Sequence, residues 1–508
     1  MRKLSLILLI AVLVLGCFVA VQEFVGATTD EAIRIINGPY FSITQNKIRV
    51  MWETNKPADS KVEYGLMDTY GESVYKPMPA KSPYYGGINI HEIVIAGLEP
   101  DTTYHYRVSS GSTSSEDSAF KTLPKIGAQS FKFAMITDSH GWGLQTTAHK
   151  YTTNEPFIKR MVDYQPDFII HGGDILVGTA FQYDEFARSY FTPVADLLRQ
   201  FPVFMAHGDH EIGPYFNPYF GTEGSALGLN SWSWDNEWFA YSFNVGNAHI
   251  VMFDCNVLEF VPPTFPEAWE SEREWLIEDL ESDAAKNATR RFLFNQEPYP
   301  HEATRIYLAP LVEKYGVNVF GGGSNNLYER FVSLDPEIGA GTVFLGMATT
   351  SVAQGEIIGP SYRISKGYAN STALGRADYL TAEVNGDTIH IRVHTLLSGV
   401  GEGPTGVLDE FVLCREEPKL EYTNLEISPS RIETAGIITI KVTVKNNGRG
   451  FTAVPLRIVD NGDPIVKYVI GTEAGEKRIV ALNPGQSEEI EVSLPLYDFG
   501  KHEIKVAD

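Results

Sequence analysis

The sequence predicts three domains in series: a β-sandwich, a layered α/β domain and a second β-sandwich. Three observations carry this. A chain of 508 residues with 43% hydrophobic content is too long for one core. Residues 37–123 and 419–508 alternate apolar and polar side chains with period two, and clusters of Gly, Pro, Asn and Ser punctuate them. Residues 129–416 instead interleave apolar strand runs with helical periodicity.

The N-terminal segment, residues 1–27, starts with Arg2 and Lys3, runs apolar from Leu4 to Val21 and ends on Val25-Gly26-Ala27. A basic start, an apolar stretch and small residues at the end make an export signal. Two other readings stay open on the same residues: an uncleaved anchor, because the run approaches spanning length, and a lipid attached at Cys17 after Leu15-Gly16. All three place the chain in a secreted or cell-surface setting.

The formal charge is −23, and residues 1–27 carry a net +1 through Arg2, Lys3 and Glu23, so the remainder carries −24. Such a surface repels phosphate backbones, which excludes nucleic acid as the main partner. Beyond the leader only Cys255 and Cys414 remain; pairing with each other and two buried free thiols are both open. Asn287-Ala288-Thr289 and Asn370-Ser371-Thr372 are candidate glycosylation acceptors in an exported chain.

In the first sandwich the alternating strands are expected at residues 48–52, 61–64, 91–95 and 104–108. The run from Leu98 to Tyr104 looks like the corner of fibronectin type III domains, where a tyrosine hydroxyl bonds back to the main chain. Trp52 and Tyr104 are therefore expected to be core or corner residues.

In the middle region, strands are expected at residues 131–137, 168–171, 202–206, 249–253, 291–295 and 317–320. Helices are expected at 183–199, 269–285 and 303–315, and antiparallel strands at 379–384, 388–394 and 407–413. The expectation is a mixed sandwich with helices outside. Glu417-Pro418 marks the next boundary, followed by strands near 438–444, 455–459 and 489–494, with turns at Asn446-Asn447-Gly448 and Pro484-Gly485. Residues 441–448 resemble an adhesion-related immunoglobulin-like module. Neither sandwich contains a catalytic constellation, so both read as spacers or as docking modules for cell-surface or envelope contact.

The chemistry lies at strand ends in the middle region, where ligands gather in open α/β sheets. Asp138-Ser139-His140, Gly173-Asp174 and Gly208-Asp209-His210-Glu211 each follow an apolar run. Two further stretches follow later runs: Asn295-Gln296-Glu297-Pro298 and Gly323-Ser324-Asn325-Asn326. Carboxylate and imidazole together suit a hard or borderline divalent cation.

Residues 129–415 thus resemble the calcineurin-like metallophosphoesterase family. With the fibronectin-like region in front, the arrangement is similar to secreted purple acid phosphatases. Tyr241-Ser242-Phe243 ahead of a strand, Trp275-Leu276 in a helix and Tyr328-Glu329-Arg330 add to the likeness. The resemblance implies a four-layer α/β/β/α sandwich, two metal ions sharing an aspartate, and water activated for attack on a phosphoester substrate. By motif position, Asp138 and His140 would hold the first metal, Asp174 would bridge and His210 would assist the leaving oxygen. Asp209 stands where the family has asparagine, and Glu211 would support the others from behind. His171 and His207 read as strand-end packing residues, and His249, His301 and His394 as structural.

Three family histidines are missing. Gln296 replaces the one before the x-Pro pair, and Ser324 and Asn326 replace those of the last motif. Amide and hydroxyl oxygens are weaker ligands for borderline metals than imidazole. Asn326 could complete the first site beside Asp138, His140 and Asp174; the second keeps Asp174 and gains Asp209, but Gln296 and Ser324 would serve it poorly. The expectation is one or two divalent ions (Mn, Fe or Zn), one held firmly and the other weakly or not at all. Two functional readings follow: an exported metal-dependent phosphohydrolase with a partly degenerate centre acting on a phosphorylated small molecule, or an inert relative serving as a cell-surface binding or structural module.

Overall fold

Strands form wherever the sequence alternates, and the computed structural model shows how they pair. It describes residues 32–78, 88–139, 155–176, 183–221, 227–234, 238–258, 261–263, 265–299, 301–324, 328–335, 339–347, 378–395, 407–414, 419–431, 436–460, 463–464, 479–496 and 502–507. Residues 1–27, Glu417-Pro418, Asn370-Ser371-Thr372, His140 and Asn326 lie outside the described residues. Among the described residues, no helix is long and apolar enough to cross a membrane.

The first region holds β1 (Ile35–Ile43), β2 (Lys47–Thr54), β3 (Ser60–Gly65), β4 (Glu72–Lys76), β5 (Asn89–Ala96), β6 (Thr103–Ser110), β7 (Thr113–Ser114) and β8 (Ser118–Lys121). They make two antiparallel sheets, β1-β2-β5 and β4-β3-β6-β7, with β8 paired to β6. Trp52 is fully buried and its indole N–H donates to Ser110 Oγ (2.9 Å). The expected corner is present: Glu99 N–H donates to the Tyr104 hydroxyl (3.0 Å).

The middle region contains β9 (Ser130–Ile136), β10 (Phe168–His171), β11 (Val203–Met205), β12 (Asn230–Trp234), β13 (Trp238–Val245), β14 (Ala248–Met252) and β15 (Arg290–Phe294). It continues with β16 (Val319–Gly322), β17 (Glu329–Asp335), β18 (Gly339–Gly346), β19 (Asp378–Asn385), β20 (Thr388–Thr395) and β21 (Val407–Cys414). One sheet runs β11-β10-β9-β19-β20-β21 and the other β12-β13-β14-β15-β16-β18-β17. Strands β9 to β11 pair parallel, as do β14 to β16 and β18, with antiparallel strands at the edges.

Side-chain alternation assigns the layers. In β10, Phe168 and Ile170 face the opposite sheet, while Ile169 faces the helices; in β15, Phe292 and Phe294 face inward and Leu293 outward. The sheets meet through aromatic pairs, among them Phe133 with Phe292 (5.4 Å) and Phe204 with Phe243 (3.9 Å). Met161 and Leu197 cover one outer face, and Leu276, Leu308 and Val312 the other. This is the four-layer α/β/β/α order. Phe168 is fully buried, and burying such a side chain contributes about 1.5–3 kcal/mol.

The helices differ from expectation. The run 183–199 breaks into Tyr183–Phe186, a widened π turn at Ala187–Phe191, and Ala195–Leu198, because Pro193 brings no N–H to the helix ladder. The run 303–315 divides the same way before Pro310, into Thr304–Leu308 and Ala309–Lys314. The run 269–285 becomes Pro266–Leu280 and Asp283–Asn287, with the Ser282 hydroxyl accepting from Ala285 N–H (3.2 Å) to start the second piece. Tyr241-Ser242-Phe243 lies inside β13, directly ahead of β14. The Tyr241 hydroxyl accepts from Met205 N–H (2.9 Å) and donates to Met205 O (3.1 Å), pinning β11 to the other sheet.

The last region is antiparallel: β22 (Leu420–Ser428), β23 (Gly436–Asn446), β24 (Thr452–Pro455), β25 (Arg457–Asp460), β26 (Asp463–Pro464), β27 (Ile479–Leu482), β28 (Ser487–Leu496) and β29 (Ile504–Ala507). Its sheets β22-β23-β28, β24-β27 and β26-β25-β29 close over Ile440, Val442, Leu456, Ile458, Val480 and Ile490. Arg330 from β17 pairs with Asp409 (2.8 Å) and lies over the Phe411 and Phe451 rings, joining this region to the middle one.

Candidate metal centre

The parallel strands β9, β10, β11, β15 and β16 bring their following loops to one place, and hydrogen bonds tie the five loops together. Asp138 N–H donates to Gly173 O (3.0 Å), Ser324 N–H to Asp138 Oδ1 (2.7 Å) and Gly323 N–H to Gln296 O (2.6 Å). Gln296 Nε2 donates to Asp174 Oδ2 (3.1 Å), and Asp174 N–H donates to Glu211 Oε2 (2.6 Å). The five sequence motifs therefore form one constellation, held across separations of up to 186 residues.

Its backbone is strained where the carboxylates sit. Asp138 (φ 49°), Asp174 (φ 58°) and Ser324 (φ 56°) all adopt the left-handed region, which costs non-glycine residues free energy and persists only where the surroundings over-determine it. Two glycines make room. A Cβ on Gly323 would overlap Asp138 Oδ2 and Thr137 Oγ1, and a Cβ on Gly208 would overlap Asp174 Oδ1.

Glu211 is the hub behind the site. Fully buried, its carboxylate accepts from Asp174 N–H, from Ile175 N–H (2.9 Å) and from Gly208 N–H (3.1 Å), so one side chain clamps the loops after β10 and β11. Burial, and then the Asp174 carboxylate, push Glu211 up to about 7. Asp209 and His210 open the short 3₁₀ turn Asp209–Glu211, Asp209 exposed on one side and His210 half-buried. Partial burial and the Asp174 carboxylate raise Asp209 to about 6.

Asp174, Asp209 and His210 each present a ligand atom, all within 4.8 Å of one another. His210 N–H also reaches Asp174 Oδ1 (3.4 Å). The imidazole to which the family resemblance gives a leaving-group role thus also stands in place as a nitrogen ligand. Two carboxylates that repel each other, beside one imidazole, fit a divalent cation of the Mn, Fe or Zn kind.

Gln296 and Ser324, the two replacements at the position that Asp174 and Asp209 share, fit it poorly. Gln296 presents its N–H, not its oxygen, to Asp174, and Ser324 Oγ turns to Glu297 Oε1 (3.3 Å). At the first position, where His140 and Asn326 lie outside the described residues, Asp138 is fully buried and accepts from Thr137 Oγ1 (2.6 Å) as well as from Ser324 N–H.

The other histidines take structural places. His171 accepts from Gly173 N–H at Nδ1 (3.2 Å) and meets Ser139 Oγ at Nε2 (3.0 Å), bracing two site loops. His249 pairs with Asp279 (2.7 Å), and His394 meets Thr381 Oγ1 (2.8 Å) while stacking on Tyr379. His301 Nδ1 stands 3.8 Å from Glu297 Oε2, four residues back along the chain. His207 is buried against Asp254 (2.8 Å) and Phe216.

Sequence reading missed Asp254, Cys255 and Asn256. Asp254 Oδ2 accepts from Phe239 N–H (2.9 Å), Asn256 Nδ2 donates to Gly208 O (3.2 Å), and Cys255 Sγ donates to Gln296 Oε1 (3.7 Å). The signal was available: these residues follow the apolar strand β14 as the other motifs follow theirs. Cys255 is a buried free thiol, so it does not pair with Cys414.

Comparison with known proteins agrees with this geometry. Residues 38–122 match the model of the purple acid phosphatase N-terminal domain, and residues 131–323 match that of calcineurin-like phosphoesterases. The chain joins a purple acid phosphatase N-terminal domain to a calcineurin-like phosphoesterase domain. The chain is 26% identical over 259 residues to acid phosphatase type 7 of Danio rerio, covering 49% of this chain and 54% of that protein. It is also 26% identical over 327 residues to purple acid phosphatase 23 of Arabidopsis thaliana, covering 54% of this chain and 66% of that protein. The matches thus span about half to two thirds of these relatives' length. Among solved structures, "Structure of PhoD" superposes with a TM-score of 0.52 at 14% identity over 75% of this chain and 90% of that one, a likeness of fold.

Proposed function

We propose that this metallophosphoesterase is an exported or cell-surface phosphohydrolase that cleaves phosphate esters at a partly degenerate metal centre. One observation carries the proposal: the convergence of Asp174, Asp209 and His210 within 4.8 Å at the joined strand ends. The curated relatives it matches are named as acid phosphatases, which supports the substrate class.

A divalent cation bound there would supply positive charge for the phosphoryl oxygens and lower the pKa of a water molecule. The chain's own residues do the rest. Asp174 and Asp209 would hold the ion, with Asp174 kept in its left-handed conformation by Glu211 and Gln296. His210, half-buried beside these carboxylates, would hand a proton to the leaving oxygen. Without a cation the carboxylates repel a phosphate, so substrate binding depends on metal.

The test is elemental mass spectrometry of the full chain grown with Mn²⁺, Fe²⁺ or Zn²⁺, followed by hydrolysis assays on phosphomonoesters and phosphodiesters. Bound metal and hydrolysis, with Asp174→Ala losing both, support the reading. Metal without hydrolysis of either ester class, or no metal, would leave the fold as a cell-surface binding module.

A further inference from the structure

The first sandwich reaches the metal centre from outside the middle region. Glu53, on β2 and 1% exposed, accepts at one oxygen, Oε2, from Asn37 Nδ2 (2.6 Å) and from the Tyr219 hydroxyl (3.0 Å). Tyr219 is fully buried in the π turn Asn217–Gly221, on the stretch of chain that follows Asp209–Glu211. Beside it, Tyr40 of β1 packs on Phe191 (4.9 Å) and Phe220 (6.3 Å), so two sandwich strands hold the same turn.

From there, contacts lead back to the candidate ligands. Phe220 packs on Phe216 (5.0 Å), and the Phe216 ring meets the His207 ring at 4.6 Å. The chain thus leaves at His207, carries Asp209 and His210 round a loop, and returns to His207 at Phe216. The upstream end of the loop is tied to the second sheet, where His207 pairs with Asp254 (2.8 Å) and Asn256 Nδ2 donates to Gly208 O (3.2 Å). The downstream end is tied to the sandwich through Tyr219. A loop clamped at both ends has little conformational freedom left to lose, which pre-organises the side chains it carries.

We propose that the first sandwich is a working part of the metal centre, with Glu53 and Tyr219 as positioning residues that hold the Asp209–His210 turn in place. This rests on reading Asp174, Asp209 and His210 as a metal centre. It gives the sandwich a task beyond that of a spacer.

The experiment follows hydrogen exchange of the metal-free full chain, then titrates it calorimetrically with Mn²⁺ and Zn²⁺. Tyr219→Phe deletes the hydroxyl and keeps the ring. Peptides covering residues 206–221 should then exchange about 10- to 150-fold faster, the worth of one hydrogen bond to a carboxylate, and the ions should bind more weakly. Tyr106→Phe is the control, because the Tyr106 hydroxyl donates to Arg199 O (2.9 Å) and so joins the sandwich to the middle region ahead of β11. It should leave exchange of 206–221 and ion affinity unchanged. Phe216→Leu cuts the path at its ring contact, should also speed exchange of 206–211, and carries the test if Tyr219→Phe does not fold. Wild-type exchange of 206–221 in folded Tyr219→Phe, equal acceleration by Tyr106→Phe, or faster exchange with ion affinity unchanged would each overturn the proposal alone. A wild type that binds neither ion would instead overturn the metal-centre reading and this proposal with it.

Discussion

Replacing Glu211 by alanine should destabilise the metal-free protein, and by more at pH 5 than at pH 8. The substitution strips the acceptor from three buried backbone donors, Asp174 N–H, Ile175 N–H and Gly208 N–H. An unsatisfied buried donor costs about 1–3 kcal/mol, so three cost about 3–9 kcal/mol before the loops relax. Against this, the folded pKa of Glu211 is raised from 4.5 to about 7. A folded pKa above the unfolded one means the native state binds the extra proton, so stability is fully present below about 4.5 and falls as pH rises through about 7. At about 1.4 kcal/mol per unit, burying the ionised carboxylate costs about 3 kcal/mol at pH 8. Alanine relieves that cost only at high pH. The net loss is therefore about 0–6 kcal/mol at pH 8 and up to about 3 kcal/mol larger at pH 5. Urea titrations of metal-free wild type and Glu211→Ala at both pH values, read by hydrogen exchange of peptides covering residues 168–176 and 203–211, measure it. Equal losses at the two pH values, or a larger one at pH 8, would refute the account of Glu211 as a buried carboxylate fighting Asp174.

Further expectations concern the site and the scaffold. Asp174→Ala should abolish metal binding, seen by elemental analysis, without lowering the melting temperature of the metal-free chain, because it removes the charge that raises both Asp209 and Glu211; a lower melting temperature than metal-free wild type counts against this. In the first sandwich, burial depresses His91 to about 4, and its ring meets Thr54 and Ser60 hydroxyls at 2.7 Å each. A depressed base stabilises the fold above its unfolded pKa of 6.5 and ceases to as pH falls through about 4. Hydrogen exchange of residues 47–54 and 89–96 should therefore speed up between pH 6.5 and 4 after correction for the intrinsic rate; constant protection would show that the ring is already charged. Tyr104→Phe takes the acceptor from Glu99 N–H and should cost about 1–2 kcal/mol in denaturant titration, with no change in metal content.

Sequence by itself carried the architecture because strand and helix periods report burial locally. The alternation of β2 and β6, the interleaved runs of the middle region and the corner at Leu98 to Tyr104 each follow from neighbours within a few residues. It also located Asp138, Asp174, Asp209, His210, Gln296 and Ser324, since chemistry-bearing residues at strand ends must converge once the strands lie parallel. Helix breaks were legible in principle from Pro193, Ser282 and Pro310, but apolar periodicity ran through them and masked the stops.

What only the tertiary structure decided is where side chains point. That His210 joins Asp174 and Asp209, that one carboxylate of Glu211 serves two loops, and that Gln296 offers a hydrogen rather than an oxygen are set by partners 35 to 122 residues away. A side chain's orientation is chosen by the donors and acceptors that surround it. Those arrive from different strands only when the sheets have packed, so no local pattern can encode them.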